Sequence, residues 1–286
     1  MCRLGVWFLG LLACGHSAVA ETMDWYVRDW PPVNILQGPE QGRGAYDLML
    51  NQLMAALPQY KHQLHISSLT MRQQMMQQQK SHCLFGLLKT PQRQTFLQFS
   101  EPVALIPNLQ VVALANHPLW QQLQAQQVID PAWLFQQSLR GMLEQNRTYP
   151  DQINDHLQEF VQVSATETNL AQMLKAKRAD FVVEYPDRMH YLAKSDPALK
   201  LKSMPLLGLA AVSEIYVACS MNEQTKAQIK AVNHAMQTLR NDPKYRAALL
   251  EWLTPQSRQL VERTMAQSPL FNPGSAPISG ANAPLQ

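Results

Sequence analysis

Cys83-Leu84-Phe85-Gly86-Leu87-Leu88, followed by Lys89-Thr90-Pro91-Gln92-Arg93, is the stretch on which the fold turns. A short apolar run bounded by turn residues reads as a strand buried on both faces. Thr90-Pro91 ends it and opens a loop or helix turn that carries Arg93. Working outward, the same alternation recurs. Upstream, 24–27 reads as a strand ending in Arg28-Asp29-Trp30-Pro31-Pro32. Tyr46, Met49, Leu50 and Leu53 then mark an amphipathic helix stopped by Pro58. A strand over 64–67 and a polar helix over 71–80 lead into the Cys83 run. Downstream, strands are predicted over 109–115, 139–143, 160–163, 181–184 and 215–219. Helices are predicted over 119–127, 150–158, 169–174, 222–240, 243–253 and 255–265. Pro243 and Pro255 stand at first helical positions, where the missing N–H is harmless. Alternating strands and helices mean an α/β protein with largely parallel sheets, and about eight short strands without a regular repeat suggest two sheets, not one barrel.

Composition narrows the function. The chain carries 24 Lys and Arg against 21 Asp and Glu, a net charge of +3, with no block of like charge. That excludes the clustered basic face of a nucleic-acid binder. Apolar residues make up 46% of the chain, too many for a disordered one. The tail, residues 266–286, is rich in Pro, Gly, Ala and Ser and is expected to be disordered.

The first twenty residues read as an export signal: Arg3, an apolar run over 4–14, and Ala18-Val19-Ala20 before the cut. The run falls short of the roughly 20 residues that span a bilayer. A rival reading takes Leu11-Leu12-Ala13-Cys14 as a lipobox with a lipid on Cys14. Leu12 is atypical there, and cleavage after Ala20 is preferred. In an oxidising compartment, Cys83 and Cys219 are either two small buried thiols or one bridge.

No catalytic or metal motif stands out. The eight histidines are scattered, with no His/Cys ligand spacing, no P-loop and no nucleophile elbow. Neither a metal nor a cofactor is expected. The notable residues stand at the ends of predicted strands: Trp30 after the first, Thr90 and Arg93 after the Cys83 strand, Arg147 and Thr148 after the 139–143 strand, Glu184 and Tyr185 at the end of the Phe181 strand. In open α/β sheets, ligands sit at the carboxyl ends of strands. Arg93 is suited to clamping a carboxylate through two parallel hydrogen bonds. Each residue taken singly reads as a cap, a turn or a surface charge; the signal is their joint placement.

Here the chain resembles the periplasmic solute-binding proteins of family 3, the polar amino acid type with the type II periplasmic-binding fold, over roughly 24–253. The resemblance rests on Trp30-Pro31-Pro32 and on Gly44-Ala45-Tyr46-Asp47-Leu48. Gly86 with Thr90-Pro91-Gln92-Arg93 matches a Gly-x-Thr-x-Thr-x-x-Arg pattern, and Phe99-Ser100-Glu101-Pro102 a Phe-Ser-x-Pro step. Ala179-Asp180-Phe181-Val182-Val183, Ile215-Tyr216-Val217-Ala218-Cys219 and the helices over 233–252 complete it. It implies two lobes, each a mainly parallel sheet flanked by helices, joined by two crossing segments. Lobe 1 is expected over 21–105 and 212–265, lobe 2 over 106–211.

The resemblance further implies that Arg93 grips the carboxylate of a small polar solute in the cleft. Trp30 would pack on that solute, Glu184 would receive a cationic or hydroxyl group, and Arg147 and Thr148 would add second-lobe contacts. It also places Cys83 and Cys219 on neighbouring strands, which favours the disulfide. The partner it implies is an ABC permease or, alternatively, a membrane receptor, for a monomeric periplasmic protein that is not an enzyme; a dehydratase-like enzyme is the distant rival. The chain departs from the family pattern at Leu88, which stands where a threonine is usual, at Val103, where an aromatic is usual, and at Tyr185, where an aspartate usually meets the ligand's ammonium. These departures leave a carboxylate-bearing or other polar solute as the expected ligand, not specifically an ordinary L-amino acid.

Overall fold

The computed structural model describes residues 20–78, 80–164 and 169–274. Residues 1–19, where the sequence is read as an export signal and where Cys14 falls, and the tail from 275 onward lie outside the described residues.

The chain first lays down β1 (Thr22–Val27), α1 (Ala45–Ala55), β2 (Lys61–Ile66), α2 (Leu69–Met76), β3 (Cys83–Leu87), α3 (Pro91–Gln94) and β4 (Leu97–Pro107). It then crosses to β5 (Gln110–Leu114), α4 (Leu119–Gln122), α5 (Pro131–Gln136), β6 (Gly141–Glu144), α6 (Asp151–Asn154) and β7 (Phe160–Val163). There follow α7 (Leu170–Lys175), β8 (Phe181–Glu184), α8 (Pro186–Ala193) and β9 (Leu201–Pro205). The return is β10 (Val212–Ser220), followed by α9 (Glu223–Leu239), α10 (Pro243–Leu250) and α11 (Pro255–Gln267).

These strands form two five-stranded sheets, ordered β2-β1-β3-β10-β4 and β7-β6-β8-β5-β9. The two-sheet α/β architecture is as the sequence implies. Each sheet, however, is mixed: β1 runs parallel to β2 and β3, and β6 to β7 and β8, while β10 and β5 pair antiparallel on both sides. The parallel pairs come from strand-helix-strand units, which need a crossover; the antiparallel ones come from the strands that cross between sheets.

Two strands, β4 and β9, go beyond the sequence expectation. Both contain proline, which donates no ladder hydrogen bond, and both lie at sheet edges, where proline is tolerated. The β4–β10 register shifts around Tyr216, which lies opposite Pro102. The crossing segments touch where Asn108 N donates to Ala211 O at 3.0 Å.

The lobe 1 core packs Trp25, Leu50, Leu53, Val217 and Val232, all at most 2% exposed, between its sheet and helices α1, α9, α10 and α11. Phe271 joins that core at 1% exposure. The sequence reading began the disordered tail at 266; residues 268–274 instead turn back against lobe 1, because one aromatic side chain has a pocket to fill. Cys83 and Cys219 face each other across β3 and β10 and form the disulfide.

Candidate functional site

The parallel strands of both sheets end at a cleft of about 1180 Å³ between them. Lobe 1 contributes Arg28 and Trp30 after β1, Arg72 from the first turn of α2, and Leu88 to Arg93 after β3. Lobe 2 contributes Arg147, Thr148 and Tyr149 after β6, and Tyr185 after β8.

Local structure sets each side chain. Thr90 Oγ1 accepts from Arg93 N at 3.2 Å and caps α3, and Pro91 supplies its first turn. Arg93 Nη1 donates to Leu88 O at 2.8 Å, which folds the guanidinium back toward the tip of β3. Gly86 adopts a φ of +77°, and the Tyr46 ring occupies the space where a Cβ would stand. Asn146 takes a left-handed φ of 60°, which asparagine tolerates, and turns the chain so that Arg147 points inward.

The inner end of the cleft is a chain of alternating charge. Arg28 Nη1 donates to Glu144 Oε1 at 2.6 Å, joining the two lobes. Arg147 Nη1 lies 2.8 Å from both oxygens of Glu184 and 3.7 Å from Glu144 Oε2. Arg188 Nη1 reaches to 3.7 Å from Glu184 Oε2. Burial alone would raise the Glu144 carboxyl, but the guanidiniums of Arg28 and Arg147 hold it below its ordinary value. Burial pulls on Arg147 in the opposite sense from Glu184, and Glu184 wins, so Arg147 stays charged well above its ordinary range.

Trp30 sits among these cations. The guanidinium carbons of Arg28, Arg147 and Arg188 lie 4.6, 5.1 and 5.5 Å from its ring, and Tyr185 meets it edge-on at 5.8 Å. An indole face is the favoured aromatic partner for such cations. Other bonds bridge the lobes. Gln73 donates to the carbonyl of Asn146, Tyr191 Oη donates to Glu40 at 2.8 Å, and Thr254 N donates to Asp187 Oδ1 at 2.7 Å.

Of the residues anticipated from sequence, Trp30, Thr90, Arg93, Arg147, Thr148 and Tyr185 line the cleft together. Glu184 does not offer itself to a ligand. It is fully buried, and Arg147 Nη1 and the Tyr185 N–H take its oxygens. The expected role of receiving a ligand cation is filled from within the protein. Sequence reasoning passed over Arg28, Arg72, Glu144 and Arg188. Arg28 and Glu144 stand at strand ends as the anticipated residues do, so the same rule would have found them. Arg72 and Arg188 sit in helices and carried no such signal. Among the described residues, no cluster of three His, Cys, Asp or Glu side chains could hold a metal, and no helix is long and apolar enough to cross a membrane.

Two helix-flanked mixed sheets, with strand tips converging on a polar cleft between them, define a two-lobed solute-binding protein. Residues 26–255 match the family model of the bacterial extracellular solute-binding proteins, family 3, and the chain belongs to that family. No curated protein matches it. Similar solved structures include a putative L-cystine ABC transporter protein from Listeria monocytogenes, at TM-score 0.64 and 16% identity, covering 83% of this chain and 98% of that one. A Salmonella typhimurium periplasmic binding protein of high arginine specificity aligns at TM-score 0.61 and 17% identity over 82% of this chain and 100% of its own. A histidine kinase sensor domain resembling periplasmic binding proteins aligns at 0.61 and 13%, over 82% and 96%. At these identities the likeness is one of fold.

Proposed function

We propose that this is an exported, periplasmic solute-binding protein whose lobes, 21–105 with 212–265 and 106–211, close on a small polar, carboxylate-bearing solute and present it to an ABC permease. The observation that carries the reading is Arg93: its guanidinium lines the cleft at the tip of β3, and no carboxylate pairs with it among the described residues. Burial lowers its affinity for the proton, a disadvantage that a bound anion reverses. Arg147 and Thr148 face it from lobe 2, with Thr90 beside it and Trp30 and Tyr185 as aromatic walls. The fold neighbours named for L-cystine transport and for arginine specificity support a carboxylate-bearing solute.

A second reading is a sensor subunit that signals the closed form to a membrane receptor. It is favoured by the fold shared with a histidine kinase sensor domain. Both readings need a bound solute and a monomer that opens and closes. Native mass spectrometry of freshly purified protein should reveal a co-purified small molecule, and ligand should raise the thermal midpoint of the wild type and of Arg258→Ala but not of Arg93→Ala. Equal shifts in the two variants would remove Arg93 from the site.

A further inference from the structure

We infer that the solute is a small organic dianion, carrying carboxylate or phosphate groups and no free ammonium, a reading that rests on the proposed solute-binding role, assigns its ligand a charge and widens the anionic group to include phosphate. The cleft and its floor gather five guanidiniums, those of Arg28, Arg72, Arg93, Arg147 and Arg188, around two carboxylates, Glu144 and Glu184. Glu184 is committed at both oxygens, to Arg147 and to the Tyr185 N–H. Glu144 is committed at one: Oε1 accepts from Arg28, while its buried Oε2 makes no hydrogen bond among the described residues and has the Arg147 guanidinium 3.7 Å away. The other acids lining the cleft, Asp151 and Glu214, are exposed at its rim, where Lys89 also stands, and Glu214 accepts from Tyr216.

The ammonium of an ordinary amino acid would therefore enter a ring of cations in which the inner acceptor left without a hydrogen bond, Glu144 Oε2, is buried and already faces Arg147 at 3.7 Å. An anion meets the reverse. Arg72 and Arg93 on the lobe 1 wall have no carboxylate partner among the described residues. Among the described residues, the buried Trp30 Nε1 and the Arg188 Nε and Nη1 also find no hydrogen-bond acceptor. Burial beside Arg28 and Arg93 pulls Arg72 down to about 9, so it remains charged at neutral pH and gains from a nearby anion. Two unpaired guanidiniums on one wall, with Arg147 opposite, match two negative charges, on two carboxylates or on one phosphate; a planar fork suits carboxylate and phosphate alike.

The test compares five probes at millimolar concentration by thermal shift and calorimetry: glutarate, glycerol 3-phosphate, L-glutamate, L-glutamine and L-arginine. The expected result is that glutarate or glycerol 3-phosphate binds at least about tenfold more tightly than each of the three amino acids, the loss of a charged hydrogen-bond partner being worth that much or more. Which of the two binds separates carboxylate from phosphate recognition. Any amino acid binding as tightly as the better dianion overturns the inference and leaves the solute-binding reading standing. Binding of none of the five, with no co-purified solute, overturns both. In Arg72→Gln, affinity for the dianion should fall about tenfold or more, while Arg258→Gln leaves it unchanged. Unchanged affinity in Arg72→Gln overturns the charge argument. Should that variant fail to fold, Arg72→Lys, which keeps the charge and loses the fork, replaces it with the same expected direction.

Discussion

Arg28 Nη1 and Glu144 Oε1 stand 2.6 Å apart, so the residue after β1 of one lobe is bonded to the last residue of β6 in the other. Their side chains are 8% and 3% exposed. A buried pair of this kind need not stabilise relative to apolar residues, but breaking it from one side leaves an uncompensated charge, at a cost of about 3–5 kcal/mol.

The first prediction is a double-mutant cycle. Arg28→Met and Glu144→Gln should each lower the free energy of unfolding in denaturant, and the double variant should lose less than their sum. The expected coupling is about 0.5–3 kcal/mol. Additive losses would show that the two residues do not act as a pair.

Acid should weaken the protein partly through Glu144. Its folded carboxyl is held below the ordinary value of 4.5, against burial, by the guanidiniums of Arg28 and Arg147. A depressed acid contributes stability that is fully present above its unfolded value and is lost as pH falls through the folded one. Unfolding free energy measured from pH 6 downward (a range spanning about 4.5 and below) should therefore decline, and Glu144→Gln should flatten that decline. Asp187 works in the opposite sense. Burial raises its carboxyl, so protonation as pH falls relieves a penalty present at neutral pH. An identical slope in wild type and Glu144→Gln would refute the assignment.

Gly86→Ala should be costly for its size. The position has a φ of +77°, and an added Cβ would lie 2.1 Å from Cε2 of the buried Tyr46 ring. Strain and overpacking together are expected to remove about 1–3 kcal/mol. Chemical denaturation measures the loss, and an alanine variant as stable as wild type would contradict the packing described for the cleft floor.

Replacing both Cys83 and Cys219 by alanine should cost about 2–5 kcal/mol, because the bond closes a long loop in the unfolded chain. Two alkylatable thiols in the unreduced, denatured wild type would show that the bond does not form.

Much of this was legible in the chain because one rule, polar residues after strand ends, follows from parallel α/β geometry. It found Trp30, Arg93, Arg147 and Tyr185, which share the cleft. It could not assign pairing. Glu184 and Arg147 are thirty-seven residues apart, and nothing local says that one consumes the other. Arg72 was read as part of a polar helix face, because a helix rule asks only whether a residue is outside the apolar stripe. The strands β4 and β9 were hidden by their prolines, which is a property of edge strands that periodicity does not record. Phe271 sat in a stretch whose composition reads as unstructured, and one large side chain was enough to anchor its beginning.

The Cys83–Cys219 bond has a further consequence. Strands β5 to β9 all lie between the two cysteines, inside a covalent ring closed across a separation of 136 residues. A protease that cuts anywhere in that excursion therefore severs the backbone without releasing either piece. Such nicked protein should migrate as an intact chain without reductant and as two fragments with it, its first lobe still riveted together.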